Sequence, residues 1–338
     1  MKPIEALNRL RRIGLAFGVT HCFVAAHKLG IFDRLVERKT VGQLARELGI
    51  EPDAVRRLLV VLHHLELLER DGDTFWNAEL GGFCTSTSPV PLNGLADLDP
   101  FLHMWELLPE AMKTYAPVWV QALGATRQDI WDTLYRDPVA LRRFARYMHA
   151  YSVAIGQEIA EKYDFSPHRC VLDVAGGSGE LSQQIALRHP HLRGIVMDLP
   201  NVLDVAKEHI AANGLAARFT TQHADLFEGP YPKGADVATL SWILHDWNDD
   251  QCRTILRHCF EALPSKGVLL INECVMNEDY SGTLENELYS IFMLVVCDPG
   301  ARERPFSQHR AMLESVGFRE VEHRRLEGPR DLVVARKP

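Results

Sequence analysis

The sequence lacks the features that would mark a membrane or a secreted protein. No apolar run reaches the roughly 18 residues that a membrane-spanning helix needs, and Glu5, Arg9 and Arg11 interrupt the first apolar stretch where a signal peptide would lie. The seven cysteines are odd in number and include no Cys-x-x-Cys pair, which is typical of reduced thiols. We therefore expect a soluble, cytoplasmic protein without a membrane partner.

An excess of basic residues is missing as well. The net charge is −8, and residues 1–80 contain twelve Lys and Arg against eleven Asp and Glu. In this segment Thr40 and Pro52 open two predicted helices and Gly49 separates them, while Asp71-Gly72-Asp73 forms the turn of a hairpin-like wing. A helix–turn–helix with a wing is typical of DNA binding, but the charge balance provides no basic surface for nucleic acid. We therefore expect no nucleic-acid partner, and keep a cofactor-sensing DNA-binding regulator only as an alternative.

Three regions follow from the pattern along the 338 residues. Residues 1–92 form a predicted helical winged-helix domain, in which the apolar run at 13–24 predicts a helix that packs against a second subunit. Residues 93–165 form a predicted helical linker that is rich in aromatic side chains and contributes to a substrate pocket. The substrate candidates in this linker are His103, Met104 and Trp131. Residues 166–338 form the predicted cofactor domain.

Strands and helices alternate in the last region, which predicts an α/β fold with a doubly wound, Rossmann-like parallel sheet. The predicted strands lie at 170–175, 194–198, 219–224, 236–244 and 267–275, and an antiparallel pair at 319–325 and 331–336 closes the sheet. In such a sheet the ligand site lies at the carboxyl ends of the strands.

A glycine turn follows the first of these strands, and it lacks the marks of a phosphate loop. Ser182 stands where a dinucleotide-binding turn has its third glycine, and no Gly-Lys-Ser/Thr sequence exists. Instead Asp173 precedes Gly176 by three residues, and its carboxylate would repel a pyrophosphate but suit a cationic nucleoside. Asp198 ends the next strand, where it can accept hydrogen bonds from ribose hydroxyls. These features favour S-adenosylmethionine as the cofactor.

Later strand ends carry the remaining candidates. Asp225 ends the third strand, where it can accept from the adenine amine while Leu226 covers the ring. His245 follows an apolar strand, and a neutral imidazole there can take a proton from a hydroxyl. Glu273 ends the next strand and is the expected partner that orients this base, and Glu303 is a second candidate for that role.

Four motifs together resemble the S-adenosylmethionine-dependent O-methyltransferase family, which includes plant caffeic-acid and acetylserotonin enzymes and many bacterial natural-product enzymes. The motifs lie at residues 173–179, 197–200, 244–247 and 300–304. The resemblance implies a homodimer formed through the N-terminal domain and transfer of a methyl group to a hydroxyl of a small aromatic or polyketide-like acceptor. It implies cofactor contacts from Met148, Ser152, Gly176, Asp198, Asp225, Leu226 and Trp247, with His245 as general base between Glu273 and Glu303.

The sequence also departs from the plant members of this family. Ala175 stands where a third consecutive glycine is usual, and Ser241 replaces a lysine that contacts the cofactor. Cys297 and Asp298 stand where plant enzymes carry other residues beside the acceptor, which makes Asp298 a substrate candidate. No metal is expected, although His245, Asp246 and Cys297 are conceivable ligands. C- or N-methylation, with or without a metal, and hydroxylation or decarboxylation by a methyltransferase-like protein remain alternatives.

Overall fold

The computed structural model describes residues 1–124, 130–279, 281–297 and 299–338. The chain forms two compact units, residues 1–98 and 99–338. The predicted division into 1–92, 93–165 and 166–338 stays a prediction, because the two compact units do not test a separate linker. The predicted substrate residue Asp298 lies outside the described residues.

The first unit combines helices with a small antiparallel sheet. Its helices are α1 (Pro3–Lys28), α2 (Ile31–Arg34), α3 (Val41–Leu48), α4 (Pro52–His64) and α5 (Glu79–Gly82). Its strands are β1 (Lys39–Thr40), β2 (Leu68–Asp71) and β3 (Thr74–Asn77), in the order β1-β3-β2. The helix–turn–helix with a wing is therefore confirmed.

Local side-chain chemistry explains where these helices begin and end. The Thr40 hydroxyl accepts from the Gln43 amide at 3.3 Å, and the Gln43 side chain accepts from the Thr40 amide at 2.8 Å, which caps α3 in both directions. Gly49 ends α3 with a φ of 67°, a conformation that costs glycine little. Leu44, Leu59 and Phe75 then fill the core between the two helices and the wing.

The second unit begins with helices and continues as an α/β domain. Its helices are α6 (Asp99–Glu106), α7 (Leu108–Thr114), α8 (Trp119–Leu123), α9 (Ile130–Arg136), α10 (Pro138–Lys162), α11 (Glu180–Arg188), α12 (Pro200–Ala212), α13 (Asp249–Ala262), α14 (Leu284–Val296) and α15 (Phe306–Val316). Its strands are β4 (Cys170–Val174), β5 (Arg193–Asp198), β6 (Phe219–His223), β7 (Val237–Ser241), β8 (Val268–Glu273), β9 (Val275–Met276), β10 (Arg304–Pro305), β11 (Arg319–Arg324) and β12 (Asp331–Arg336).

A seven-stranded sheet in the order β11-β12-β8-β7-β4-β5-β6 organises this unit. The strands from β8 to β6 pair in parallel, whereas β12 pairs antiparallel with both β8 and β11. The winding direction reverses between β4 and β7, and in open α/β sheets ligands bind at such a switch point. The predicted doubly wound sheet with an antiparallel closing pair is confirmed.

Two global expectations can be compared with the structure directly. Each of the seven cysteines is a free thiol, as the spacing predicts. Within the described part of the chain, none of the helices combines the length and the apolar character that crossing a bilayer requires.

Candidate active site

A cavity of about 220 Å³ opens in the second unit at the carboxyl ends of β4 and β7. Many of the residues singled out from the sequence line it: Trp131, Met148, Ser152, Asp173, Gly176, Asp198, Asp225, Leu226, Ser241, His245 and Trp247. The fold therefore brings together all of the predicted cofactor residues and the predicted base in one place.

The glycine turn after β4 forms one wall of this cavity. The Gly176 amide donates to the Met197 carbonyl at 3.1 Å, which fixes the turn against β5. A Cβ added to Gly176 would lie 2.6 Å from Cγ of Asp173, and one added to Gly179 would lie 2.6 Å from Cγ2 of Val196. The backbone at Gly176 therefore reaches the cavity where a larger residue would not fit, and Gly179 allows the turn to pack against Val196 of β5.

Two buried carboxylates hold this turn and face the cavity. Asp198 accepts from the Gly177 amide at 2.8 Å and from the Leu199 amide at 2.7 Å. Asp173 accepts from the hydroxyls of Ser182 at 2.6 Å and Thr239 at 2.9 Å. Burial raises the pKa of Asp173 and of Asp198 to about 6 in each case. Both groups are mostly ionised at neutral pH, so this part of the cavity favours a cationic ligand.

The ends of β6 and β7 supply an apolar slot with one carboxylate at its edge. Asp225 accepts from the Phe227 amide at 2.7 Å, so it caps a turn as well as lining the cavity. Phe227 packs edge-on against Trp247 with ring centroids 4.8 Å apart, and Leu226 lies beside them. A planar base fits between such groups. Phe227 was not identified from the sequence, although it follows two predicted contact residues.

His245 lies on a short 3₁₀ turn rather than on the strand itself. The prediction of a strand over 236–244 was wrong at its end, because β7 stops at Ser241 and Trp242 adopts a φ of 61°. The amides of Ile243 and Leu244 then donate to Oε1 of Glu273 at 3.0 and 2.9 Å instead of to a neighbouring strand. This turn carries His245 into the cavity wall, with its side chain buried.

The two predicted carboxylates have different geometries around the imidazole. Nδ1 of His245 lies 2.8 Å from Oε1 of Glu303, a hydrogen-bond distance, but 3.8 Å from Oε2 of Glu273. Glu303, the second candidate, is therefore the hydrogen-bond partner of His245. Glu273 instead accepts hydrogen bonds from the backbone amides of the turn. Neither carboxylate is among the residues that line the cavity, so both act from behind the imidazole.

Two buried arginines complete this arrangement, and sequence reasoning missed both. Arg330 lies 3.3 Å from Oε2 of Glu273 and 3.4 Å from Oε1 of Glu303, and its guanidinium stacks 3.3 Å from the Trp242 ring centroid. Arg304 donates to the carbonyls of Leu244 at 2.9 Å and Trp247 at 2.6 Å. Arg330 immediately precedes β12, far along the chain, so no local sequence signal connects it with His245.

The electrostatics around His245 favour its charged form. Burial alone would lower the pKa of His245, but the carboxylates of Glu273, Glu303 and Asp246 outweigh burial and raise the pKa to about 9. Asp246 lies 3.4 Å from Nε2 of His245, and burial raises the pKa of Asp246 to about 6.

The predicted substrate residues do not all reach the cavity. Trp131 lines it, whereas His103 is exposed and lies 3.7 Å from Glu106 on the outside of α6. Met104 is fully buried but is not among the lining residues. Other aromatic residues that sequence reasoning did not assign to the substrate line the wall instead: Phe101, Tyr147, Trp242, Tyr289 and Phe292.

Comparison with known proteins gives the family. The model of the O-methyltransferase domain matches residues 105–319, and that of the O-methyltransferase dimerisation domain matches residues 13–87. Acetylserotonin O-methyltransferase of Bos taurus is 30% identical, covering 98% of both chains. A 3-hydroxy-5-methyl-1-naphthoate 3-O-methyltransferase of Streptomyces sahachiroi is 32% identical over 92% of this chain and 89% of its own.

A solved structure agrees in fold over nearly the whole length. Human N-acetylserotonin methyltransferase, in complex with S-adenosylmethionine, superposes with a TM-score of 0.90 at 26% identity, covering 98% of this chain and 97% of its own. The resemblance inferred from the four motifs is thereby confirmed. The chain belongs to the O-methyltransferase family, with both its methyltransferase and its dimerisation domains.

Proposed function

We propose that this protein transfers a methyl group from S-adenosylmethionine to a hydroxyl of a small aromatic acceptor, with His245 as general base. Membership of the family makes it an O-methyltransferase. The observation that carries the role of His245 is the 2.8 Å hydrogen bond between its Nδ1 and Glu303. That bond places the proton on Nδ1 and leaves Nε2 as the basic nitrogen.

The walls of the cavity fit the proposed cofactor. When bound, S-adenosylmethionine supplies an electrophilic methyl group on a sulfonium sulfur. Asp198 has lone pairs left to accept from ribose hydroxyls, and Asp225, with Leu226 and Trp247, is placed to hold the adenine ring. Met148 and Ser152 extend from α10 into the same cavity for the methionine portion. The carboxylate of Asp173 adds negative charge that favours the cation.

The base would act on a hydroxyl held between the imidazole and the aromatic wall. Glu303 keeps the imidazole in one orientation, and Arg330 neutralises part of the charge of Glu303 and Glu273. Because proton transfer costs least between groups of similar pKa, a base with a pKa of about 9 suits a phenol, whose pKa is about 10. Positioning of the two reactants supplies much of the remaining acceleration.

The shape and polarity of the wall support an aromatic acceptor. The aromatic residues Phe101, Tyr147 and Phe292 line the cavity, and a pair of aromatic rings adds about 0.5–1.5 kcal/mol beyond the burial of apolar area. The relative from Streptomyces sahachiroi is named for methylation of a hydroxynaphthoate, which is a molecule of this kind.

A homodimer formed through the first unit is part of the same proposal. The exposed apolar side chains of α1 run from Ile4 to Val19, whereas Val24 packs into the core. Ile13 and Phe17 are 73% and 67% exposed, and a second copy of this chain would cover them. The match to the dimerisation domain supports this.

The experiment that tests the base replaces His245 with glutamine. General-base assistance contributes about 10²–10⁴ in rate, so H245Q should lower kcat by about that factor while calorimetry shows unchanged affinity for S-adenosylmethionine. His64, an exposed histidine of the first unit, provides the matched control, and H64Q should keep full activity. An H245Q enzyme with the turnover of the parent protein would contradict the proposed role.

A further inference from the structure

We propose that His149, Glu180 and His209 form a binding site for a divalent transition-metal cation of the zinc class, separate from the active-site histidine. Each residue comes from a different helix, namely α10, α11 and α12. One ligand atom from each residue lies within 4.8 Å of the others. Two imidazoles and one carboxylate are a set that binds zinc in proteins, with a fourth position left for water.

The distances fit such an ion. Nδ1 of His149 lies 3.4 Å from Oε2 of Glu180, and Nδ1 of His209 lies 3.5 Å from the same oxygen. Around a tetrahedral zinc ion with bonds of about 2.0–2.1 Å, neighbouring ligand atoms are separated by about 3.3–3.4 Å. The two nitrogen–oxygen separations are therefore close to the edge length of such a coordination tetrahedron.

Hydrogen bonding between the three residues does not account for this arrangement. Among the described residues, Nδ1 of His149 has no hydrogen-bond partner although the atom is buried. A buried polar atom without a partner costs free energy, and a metal ion would supply the missing partner. Nδ1 of His149 thus lies at an ion-pair distance of 3.4 Å from Glu180 without meeting the geometry of a hydrogen bond.

Neighbouring side chains hold the carboxylate in place, as surrounding hydrogen bonds do at metal centres. Gln184 donates to Oε1 of Glu180 at 2.6 Å, which leaves Oε2 directed at the two imidazoles. Asn213 lies 3.4 Å from Oε1 and 3.3 Å from Oε2 of Glu180, and it donates to Gln183 at 3.0 Å. The carboxylate is buried and preorganised.

The site has access to solvent from one side. The side chains of His149 and His209 are 20% and 31% exposed, whereas that of Glu180 is 2% exposed. An ion can therefore enter between the imidazoles, and water can fill the fourth position. Once bound, it would link α10, α11 and α12 beside the glycine turn, because Glu180 directly follows Gly179.

The second cluster that contains a histidine is not a metal site. His245, Glu273 and Glu303 also have ligand atoms within 4.8 Å of one another, but Arg330 lies 3.3 and 3.4 Å from the two carboxylates. A buried guanidinium at that distance opposes a second cation. We therefore assign the metal to His149, Glu180 and His209 alone, although the sequence-based expectation was that no metal binds.

The test measures zinc binding to the full-length protein after treatment with a chelator, by calorimetry and by metal analysis after dialysis. The wild type should bind one Zn²⁺ per chain. H149Q and H209Q each remove a ligand atom, so each should lower the affinity by at least the roughly 10–100-fold that loss of a residue behind a metal ligand costs. H245Q should bind as the wild type does, and so should H103Q, which removes an exposed histidine that faces a single glutamate.

Two further readouts separate this site from adventitious binding. Co²⁺ in place of zinc should show the visible absorption of tetrahedral nitrogen and oxygen ligands, without a thiolate charge-transfer band. At a free Zn²⁺ concentration 100 times Kd, the melting temperature of the wild type should rise by about 4–5 °C, and that of H149Q should not. Absence of zinc from the dialysed wild type, wild-type affinity in H149Q and H209Q, or a thiolate band would each overturn the proposal.

Discussion

At the scale of single residues, the proposed chemistry depends on which nitrogen of His245 carries its proton. The hydrogen bond to Glu303 at 2.8 Å assigns the proton to Nδ1. Asp246 lies 3.4 Å from Nε2, so the basic nitrogen has a carboxylate beside it. Three acidic groups around one imidazole stabilise its protonated form. His245 is therefore a strong base, but most of it is already protonated at neutral pH.

This charge balance predicts a pH dependence. His245 must be neutral to accept a proton, and with a pKa raised to about 9 only about 1% is neutral at pH 7. The value of kcat/KM should therefore rise about tenfold per pH unit from pH 7 and level off near pH 9, as measured with an acceptor that does not titrate in this range.

A variant isolates the contribution of the hydrogen-bond partner. Glu303 raises the pKa of His245, so E303Q should shift the rise of kcat/KM to lower pH and lower its plateau. A profile that is flat between pH 7 and 9 in the parent enzyme, or one that moves to higher pH in E303Q, would contradict the role of His245 as base.

Ala175 carries a prediction about stability. Its φ of 51° is left-handed, which costs a non-glycine residue about 1–2 kcal/mol, while glycine loses more backbone entropy on folding. A175G should therefore raise the free energy of unfolding by about 0.5–1 kcal/mol, read as a higher urea midpoint with an unchanged m value.

The neighbouring glycine provides the opposite control. G179A would put a Cβ 2.6 Å from Val196 at a φ of 72°, so it should destabilise the protein by more than 1 kcal/mol. A lower urea midpoint in A175G would show that the methyl group of Ala175 contributes packing that outweighs its backbone strain.

At the scale of elements, the ends of strands decide where the site lies. The sequence predicts β7 correctly at its start, but its apolar residues continue to Leu244, so the pattern cannot show that the strand stops at Ser241. The strand ends there because the carboxylate of Glu273 accepts hydrogen bonds from the backbone amides of Ile243 and Leu244. The hydropathy of a segment reflects its burial, and the turn after Ser241 is as buried as the strand before it. Hydropathy does not show which group accepts the hydrogen bond of each backbone amide.

Helix α1 carries the prediction at this scale. Replacement of Ile13 and Phe17 by glutamate places charges on its exposed apolar face, and burying an unpaired charge in an interface is costly. The double variant should elute as a monomer when its mass is measured by light scattering, whereas the parent protein should elute as a dimer. L187E, at an exposed leucine of the second unit, should stay dimeric. A dimeric double variant would exclude α1 as the interface.

At the scale of the whole molecule, the sequence predicts well what depends on local pattern. The family, the doubly wound sheet, the winged helices and the cofactor class are confirmed, because glycine turns, strand ends and helical spacing leave local signals. The aromatic wall was predicted only as a region. The side chain of His103 is exposed and does not line the cavity, which could not be predicted because single-sequence periodicity does not show which face of α6 meets the cavity. Arg330 and the His149, Glu180 and His209 cluster left no signal, since their members meet only after folding.

The position of Arg330 has a consequence for biosynthesis. Arg330 immediately precedes β12, which is inserted between β8 and β11, and β8 ends at Glu273 beside His245. A nascent chain that has emerged only as far as residue 320 therefore holds His245 and its two carboxylates without their buried counter-charge. The environment of the His245 turn is complete only after β12, one of the last segments to be translated, has been added to the sheet. Ribosome-bound chains whose translation is arrested before or after β12 should therefore differ in how well the His245 turn is structured. Nearly all of the methyltransferase domain has been synthesised in both.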